Sequence, residues 1–358
     1  MSLRVASTLV FRCFKRVEHF GDWLTGAAGP VFIAFAWLLM GGGAIVFFGV
    51  VAPRLPLWLI TVPFCLLVAA NLFGHYYLAC TVSPGFADDR APLDTSGWWW
   101  APRRERRLGR APREGYGNAR GGAGKDGDGV DEVGGGGGEV TAEEGQSERL
   151  LRGKPRERRC KKCGGMRPER AHHCRVCRRD ILKYDHHWIN QCVGLRNERH
   201  FVLFMAYFVL ACACFCTFGY PYFFLSLDFF EDWPYWPGRT PFILIYILAG
   251  VLSVAVLIML LWHLRLVMLG ETTVENYDND AYRRLTKERG TRFVNCFDLG
   301  WKRNLWMFFN LDEYPIYAIM LPLRVVPYTN GRTWEKADGY DRHGGLDELD
   351  EMTDEEEL

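Results

Sequence analysis

The chain has 358 residues, 49% of them hydrophobic and 24% charged, with a formal net charge of +1. So near-neutral a balance supplies no overall field for a polyanion, which argues against a nucleic-acid partner. The charged and apolar residues fall in separate stretches, which excludes an ordinary soluble domain with interspersed surface charge.

Residues 1–29 carry Arg4, Arg12, Lys15 and Arg16 through a short, broken apolar run without the pattern of a cleavable signal. Two apolar runs follow, 30–51 and 57–80, which together make up segment 30–80. Each is long enough to cross a hydrocarbon layer of about 30 Å, which takes about 20 helical residues. Trp and Tyr gather near the ends of such runs, as in interfacial belts. A linker spans 81–155, and from residue 87 it is of low complexity, with GGAGKDGDGVDEVGGGGGEV at its centre. Gly and charge without apolar periodicity cannot offset the entropy of ordering, so this stretch is expected to be largely disordered. Trp98, Trp99 and Trp100 stand out within it, either as residues that dip into the membrane surface or as an incidental cluster.

After a cysteine-rich segment at 156–200, the runs 201–226 and 241–262 are the third and fourth candidate spans, within segment 201–262. Neither run holds charges that would suggest a transporter or channel pathway. Segment 263–335 is mixed. Its stretch NLWMFFNLDEYPIYAIMLPLRVV (304–326) is broken by Asp312, Glu313 and Pro315, so it reads as a short helix at the interface or against the central loop. The acidic segment 336–358 reads as a solvated tail.

Flanking positive charge sets the topology. Segment 81–200 holds 25 of the 43 Lys and Arg, whereas the two short opposite loops hold only Arg54 and Arg239. Both termini and the central loop are therefore expected in the cytosol. That compartment keeps thiols reduced, so the cysteines read as metal ligands or nucleophiles before disulfides.

From 160 to 192 the chain reads CKKCGGMRPERAHHCRVCRRDILKYDHHWINQC. Two C-x-x-C pairs with nearby His and a fifth Cys form a strong zinc signature, because each short knuckle supplies two ligands from one turn. His173 and Cys174 are adjacent, so one ion cannot easily take both. Interleaved sets solve this: Cys160, Cys163 and His173 for one ion, and Cys174, Cys177, His187 and Cys192 for the other. Asp180 falls where the next ligand after Cys177 is due and completes the first set with a harder oxygen donor.

Arg167, Pro168 and Arg170 follow the first knuckle. Beyond the second come Asp185, His186, His187, Trp188, Ile189, Asn190, Cys192, Val193, Gly194, Asn197 and Phe201. With these spacings the run resembles the cysteine-rich domain of the Asp-His-His-Cys (DHHC) protein S-acyltransferases, the palmitoyltransferases of endomembranes. Ser83-Pro84-Gly85, Thr272-Thr273-Val274-Glu275 and the stretch from Asn295 to Gly300 with Asn304 are similar to further motifs of that family. The resemblance implies an all-α polytopic membrane protein: four transmembrane helices, with a small zinc-bound cytosolic domain between spans two and three. It also implies two structural zinc ions, acyl-CoA as co-substrate, and membrane-associated protein substrates with cytosolic cysteines. An endoplasmic-reticulum or Golgi membrane is the implied location. By resemblance His186 is a base and Asp185 orients its imidazole, while Thr273 is expected near Asp185 and Asn304 to tie the tail to the core.

Two departures matter. Asp180 replaces a family cysteine, and the Cys-Pro dipeptide expected between His187 and Trp188 is absent. That Cys is the family's nucleophile, so the chain as written is expected to be inactive. The register resumes at once with WINQCVG, as after a two-residue deletion. Three accounts fit: an in-frame gap at a misplaced splice junction, an inactive zinc-bound scaffold that binds partners or acyl-CoA, or an active variant with another nucleophile. Cys192 is already a metal candidate. Cys212, Cys214 and Cys216 read as packing residues in span three. Cys13, Cys80 and Cys296 lie near the membrane surface and are candidates for acylation themselves. Arg196 and Arg199 either meet CoA phosphates or serve as positive anchors.

Overall fold

The computed structural model describes residues 29–89, 93, 95, 97, 99–103, 157–187 and 191–346, with His186 and His187 described by backbone alone. Among the described residues, four helices are long and apolar enough to span a membrane: α1 (Gly29–Arg54), α2 (Trp58–Thr81), α3 (Glu198–Leu227) and α4 (Arg239–Leu269). A helix satisfies its own backbone polar groups, which hydrocarbon cannot do for it. The same setting tolerates Pro63 within α2 and Pro221 within α3. Helix α3 packs against both α2 and α4. One apolar cluster joins Val50, Val51, Phe215 and Phe242, and another joins Ala79, Phe201, Met205 and Leu260. The outward faces stay apolar, with Leu59, Ile60, Leu244, Val251 and Ile258 all exposed. A surface of that kind needs lipid against it.

Both later helices overrun their apolar runs. Helix α3 starts at Glu198 and α4 continues to Leu269. Glu198, Arg199, His200 and His263 therefore lie in the helices, and all four are buried. The expected lack of charge holds for the runs 201–226 and 241–262, but not for the helices that contain them. The polar ends are covered by the cysteine-rich segment and the C-terminal chain, so they need no solvent.

That segment adds short antiparallel hairpins to an otherwise helical protein. They are β1 (Arg158–Arg159) with β2 (Met166–Arg167), β3 (His172–Cys174) with β4 (Arg179–Ile181), and β5 (His186–His187) with β6 (Cys192–Val193). Backbone pairing binds them to the end of α2: Leu182 N donates to Gly85 O at 3.0 Å, and Arg196 N to Pro84 O at 3.2 Å. Gly194 is required there, because a Cβ would lie 2.8 Å from Ile181 Cγ2 and 2.9 Å from Pro84 O. Asn197, fully buried, accepts from Gly194 N at 2.9 Å and donates to Cys192 O at 3.0 Å and Ala79 O at 3.3 Å.

Three further helices follow: α5 (Thr273–Glu288), α6 (Trp301–Phe308) and α7 (Tyr317–Met320). The broken stretch 304–326 thus holds the end of α6 and the whole of α7. Beyond α7 the chain crosses the hairpins, with Trp334 Nε1 donating to Glu169 O at 3.2 Å and Lys336 paired with Glu169 at 2.8 Å. Val294 and Gly344 pair as a β-bridge. Residues 336–346 are therefore packed and not a free tail, while 347–358 lie outside the described residues. The expectation of disorder from residue 87 also fails at 99–103. Arg324 N donates to Trp99 O at 2.7 Å and Ala101 N to Arg324 O at 2.9 Å, a pairing that no local pattern announces. Trp98, Cys13 and residues 104–156 lie outside the described residues.

Gly270 ends α4 with φ 68°, and a Cβ there would meet Phe297 O at 2.6 Å. An L-residue in that region costs about 1–2 kcal/mol before any clash. Gly270→Ala should therefore lower the thermal midpoint of the detergent-solubilised protein. Gly41→Ala, inside α1 with nothing within 4 Å of the new Cβ, should not lower it.

Candidate functional site

The β3–β4 register sets His173 directly opposite Asp180. His173 Nδ1 lies 3.1 Å from Asp180 Oδ1 and 3.6 Å from Cys160 Sγ, and Cys163 Sγ is 3.2 Å from Asp180 Oδ2. The two cysteines sit on the β1–β2 turn, which closes through Gly164 N to Cys160 O at 2.8 Å. One donor atom from each of the four residues falls within 4.8 Å of the others. In the second group Cys192 Sγ lies 3.2 Å from Cys174 Sγ and 3.3 Å from Cys177 Sγ. The β5–β6 ladder places the backbone of His187 across from Cys192, but the side chains of His186 and His187 lie outside the described residues. Tetrahedral zinc with ligand bonds of about 2.0–2.3 Å implies donor separations of about 3.3–3.8 Å. Both donor sets suit such an ion in chemistry: the first brings four donors within 4.8 Å of one another, and the second brings three sulfurs together, somewhat closer than bound zinc would hold them.

Asp185 lies beside these groups, at the membrane end of the segment. Its backbone N donates to Val193 O at 3.0 Å, which holds it at the foot of β5. Its carboxylate accepts from Thr273 N at 2.7 Å, and its carbonyl accepts from Thr273 Oγ1 at 2.8 Å. Thr273 is the first residue of α5, so Asp185 occupies a helix N-terminus, where unpaired N–H groups and the helix dipole favour a carboxylate. The other carboxylate oxygen is 3.3 Å from His263 Nε2, and His263 Nδ1 is 2.9 Å from Met259 O. His263 was not among the sequence-derived candidates. Its signal was an isolated ionisable residue directly after an apolar span, which marks a functional position by default.

A buried charge network supports this clamp. Thr272 and Glu275 form a capping box at the start of α5. Glu275 also takes both arms of Arg170, each at 2.6 Å, and Arg170 donates to Gly270 O at 2.8 Å. The guanidinium packs in the corner made by the rings of Phe297 and Trp334, 4.4 and 4.6 Å from their centroids, the two rings being crossed at 70°. Burial alone would raise the Glu275 carboxyl, but the Arg170 charge outweighs it and holds the group below its ordinary value. Lys183 pairs with Glu198 at 2.7 Å in the same buried layer. Asn304 donates to Met268 O and Asp298 Oδ1, both at 2.8 Å, and accepts from Leu299 N at 3.2 Å. It thereby joins the last turn of α4 to the loop before α6.

Several residues are placed otherwise than expected. Cys296 is buried, and burial pushes its thiol up to about 12, so it is not open to acylation at a membrane surface. The Arg199 guanidinium is buried, donating to Ala318 O and to Leu323 O, so it is not placed to meet a phosphate. Arg196 pairs with Asp89 at 2.9 Å. A cavity of about 120 Å³ lies among the four spanning helices, lined by residues such as Met40, Phe47, Leu72, Phe208, Cys212 and Leu248.

The sequence model of the DHHC palmitoyltransferase family matches residues 153–280. Probable protein S-acyltransferase 15 of Arabidopsis thaliana is 34% identical over 154 residues, covering 41% of this chain and 58% of that protein. Palmitoyltransferase ZDHHC16A of Danio rerio is 27% identical over 226 residues, 49% of this chain and 58% of its own. Palmitoyltransferase ZDHHC2 of Mus musculus is 33% identical over 159 residues, 44% of this chain and 41% of its own. The matched region thus spans little more than half the length of these relatives at most.

Arg170→Met strands a buried carboxylate and should cost about 3–5 kcal/mol, of which Arg170→Met with Glu275→Met should recover a large part. The pH dependence has a definite sign. The folded-state value for Glu275 lies below the unfolded one, so its contribution is present above about 4.3 and is lost as pH falls through the folded value. Thermal midpoints measured from pH 7 down to pH 3 should fall less steeply for Glu275→Gln than for the parent.

Proposed function

From the DHHC palmitoyltransferase domain that this chain carries over residues 153–280, we propose that the protein is built as a protein S-acyltransferase. In this reading acyl-CoA is the donor, and cysteines of membrane-associated proteins are the acceptors. The observation that carries it is the clamp on Asp185, a carboxylate held by Thr273 and facing His263 at the membrane end of the hairpins. That support suits a residue whose task is to orient the neighbouring His186. In the family reaction His186 would take the proton of a cysteine, whose sulfur then bonds to the thioester carbonyl carbon. The bond from that carbon to the CoA sulfur breaks, and CoA leaves as a thiol with the imidazole's proton. The acceptor protein's thiol resolves the acyl-enzyme by the same exchange.

We assign zinc to both donor sets, one ion with Cys160, Cys163, His173 and Asp180 and one with Cys174, Cys177, Cys192 and His187. When bound, it cross-links hairpins too small to hold a core of their own. The apolar cavity among the helices suits an acyl chain, since each buried CH₂ contributes about 0.8 kcal/mol. The basic flanks support cytosolic termini and a cytosolic central loop, and the family resemblance supports an endoplasmic-reticulum or Golgi membrane.

The chain as written lacks the cysteine that would carry the acyl group, and the described thiols of the cysteine-rich segment all fall in the two donor sets. Cys174, Cys177 and Cys192 face one another, and Cys296 is buried. This favours a second reading, a zinc-bound membrane scaffold that binds partners or acyl-CoA without turnover.

Labelled acyl-CoA separates the two. The purified chain should retain no hydroxylamine-sensitive label, and inserting Cys-Pro between His187 and Trp188 should create it within the 160–200 segment. Label on the unaltered segment refutes inactivity, and no label after insertion favours the scaffold. Sequencing transcripts across codons 187 and 188 shows whether the gap is genuine. Zinc analysis should return two ions per chain, and a value near one would implicate Asp180 or the shortened link to Cys192.

A further inference from the structure

The tryptophan segment has no part in the reading above, yet the structure gives it a definite seat. Trp99 and Ala101 pair through their backbones with Arg324, just beyond α7. Ala101 packs with Tyr314 and Ala318 in one small buried cluster. Arg103 Nε donates to Tyr314 Oη at 3.2 Å, and its charge lies 3.6 Å from Glu313. Residues 99–103 are thus fastened to the stretch 313–324 that contains α7, through Glu313 and Tyr314 before it, Ala318 within it and Arg324 beyond it. The remaining side chains of that region point outward: Ile316 is 66% exposed, Met320 50%, and Tyr317 and Trp99 43% each.

The position of α7 along the bundle identifies what lies against this face. A Cβ at Gly74 would come within 2.5 Å of Pro322, so the chain after α7 touches α2 directly. Tyr207 Oη donates to Ile319 O at 3.4 Å, and Arg199 holds Ala318 O. Gly74 is about 10 Å along the axis from the end of α2 that meets the hairpins, and Tyr207 about 13 Å from the start of α3, at 1.5 Å per residue. Helices α2 and α3, of 24 and 30 residues, exceed a hydrocarbon layer of about 30 Å by about 6 and 15 Å. Centred on that layer, both contact points fall about 6–7 Å inside its boundary, the depth of an interfacial helix.

We propose that α7 and the Trp99–Arg103 segment form one interfacial anchor, seated in the bilayer that the four helices cross. Its composition fits that seat. Ile316, Met320 and Leu321 supply apolar area, while Trp99 and Tyr317 are aromatic residues with a polar atom, favoured at the boundary between hydrocarbon and water. The anchor fixes where the insert begins. Its far end is tied nearby through Glu157 and Arg332 at 3.1 Å, so both ends of residues 104–156 are attached to the same C-terminal chain.

The test uses the full chain in phosphatidylcholine vesicles with two photoactivatable phosphatidylcholines, one reactive near the glycerol and one at the acyl terminus. Adducts are mapped by mass spectrometry. The shallow probe should label Trp99 and residues 316–321 several-fold more than the deep probe, with the reverse for Val251 in the middle of α4. Ile316→Asn with Met320→Asn changes only exposed side chains and should lower the adducts at both 316–321 and Trp99 several-fold, leaving Val251 unchanged. Adducts at 316–321 with none at Trp99 would overturn the joint anchor. An unchanged yield in the double variant, or chain-to-chain cross-links there in place of lipid adducts, would overturn the bilayer as occupant.

Discussion

Charge held away from water must be neutralised where it sits, and much of the hairpin end of this protein is arranged around one such pair, Arg170 with Glu275. Arg170 comes from the cysteine-rich hairpins and Glu275 from α5, while the two rings against the guanidinium come from the loop before α6 and from the C-terminal chain. One side chain therefore joins four pieces of sequence. Breaking a buried pair of this kind costs more than forming it gains, because the remaining charge is left without a partner. The pair acts less as glue than as a condition on assembly: the hairpins, α5 and the tail must all be present together.

Asp185 depends on that condition. Its carboxylate meets the N-terminus of α5 and His263 on α4, and the direction of α5 is set by Gly270 and the Thr272–Glu275 capping box. Glu275 serves the cap and Arg170 at once. The capping box is thus a mechanical link from the hairpins to the carboxylate. Asn197 makes a second link, joining Cys192 of the thiol cluster to Ala79 of α2. The cysteine-rich loops are consequently referenced to the membrane helices from two sides. Bound zinc would stiffen an assembly already aligned with the bilayer.

Much of this could be read from the sequence because its signals are local. Apolar runs of about 20 residues and paired C-x-x-C knuckles each need only a short window of chain. Asp180 was legible by spacing alone, and the β3–β4 register then brings it against His173. The extended ends of α3 and α4 were harder, because Glu198, Arg199 and His263 are polar and the apolar pattern stops short of them. They continue as helix because other parts of the protein cover them.

The gap between His187 and Trp188 is what the family resemblance implies; composition and spacing by themselves pointed to the four spans and the two donor sets. These follow from solvent preference and ligand chemistry, which act residue by residue. Tertiary structure decided which distant residues meet: His263 with Asp185, Arg170 with Glu275, and Trp99 with Arg324. It also withdrew Cys296 and Arg199 from the surface, where their sequence neighbourhood had placed them. Each of these outcomes depends on chain segments separated by many residues, and no short window records that separation.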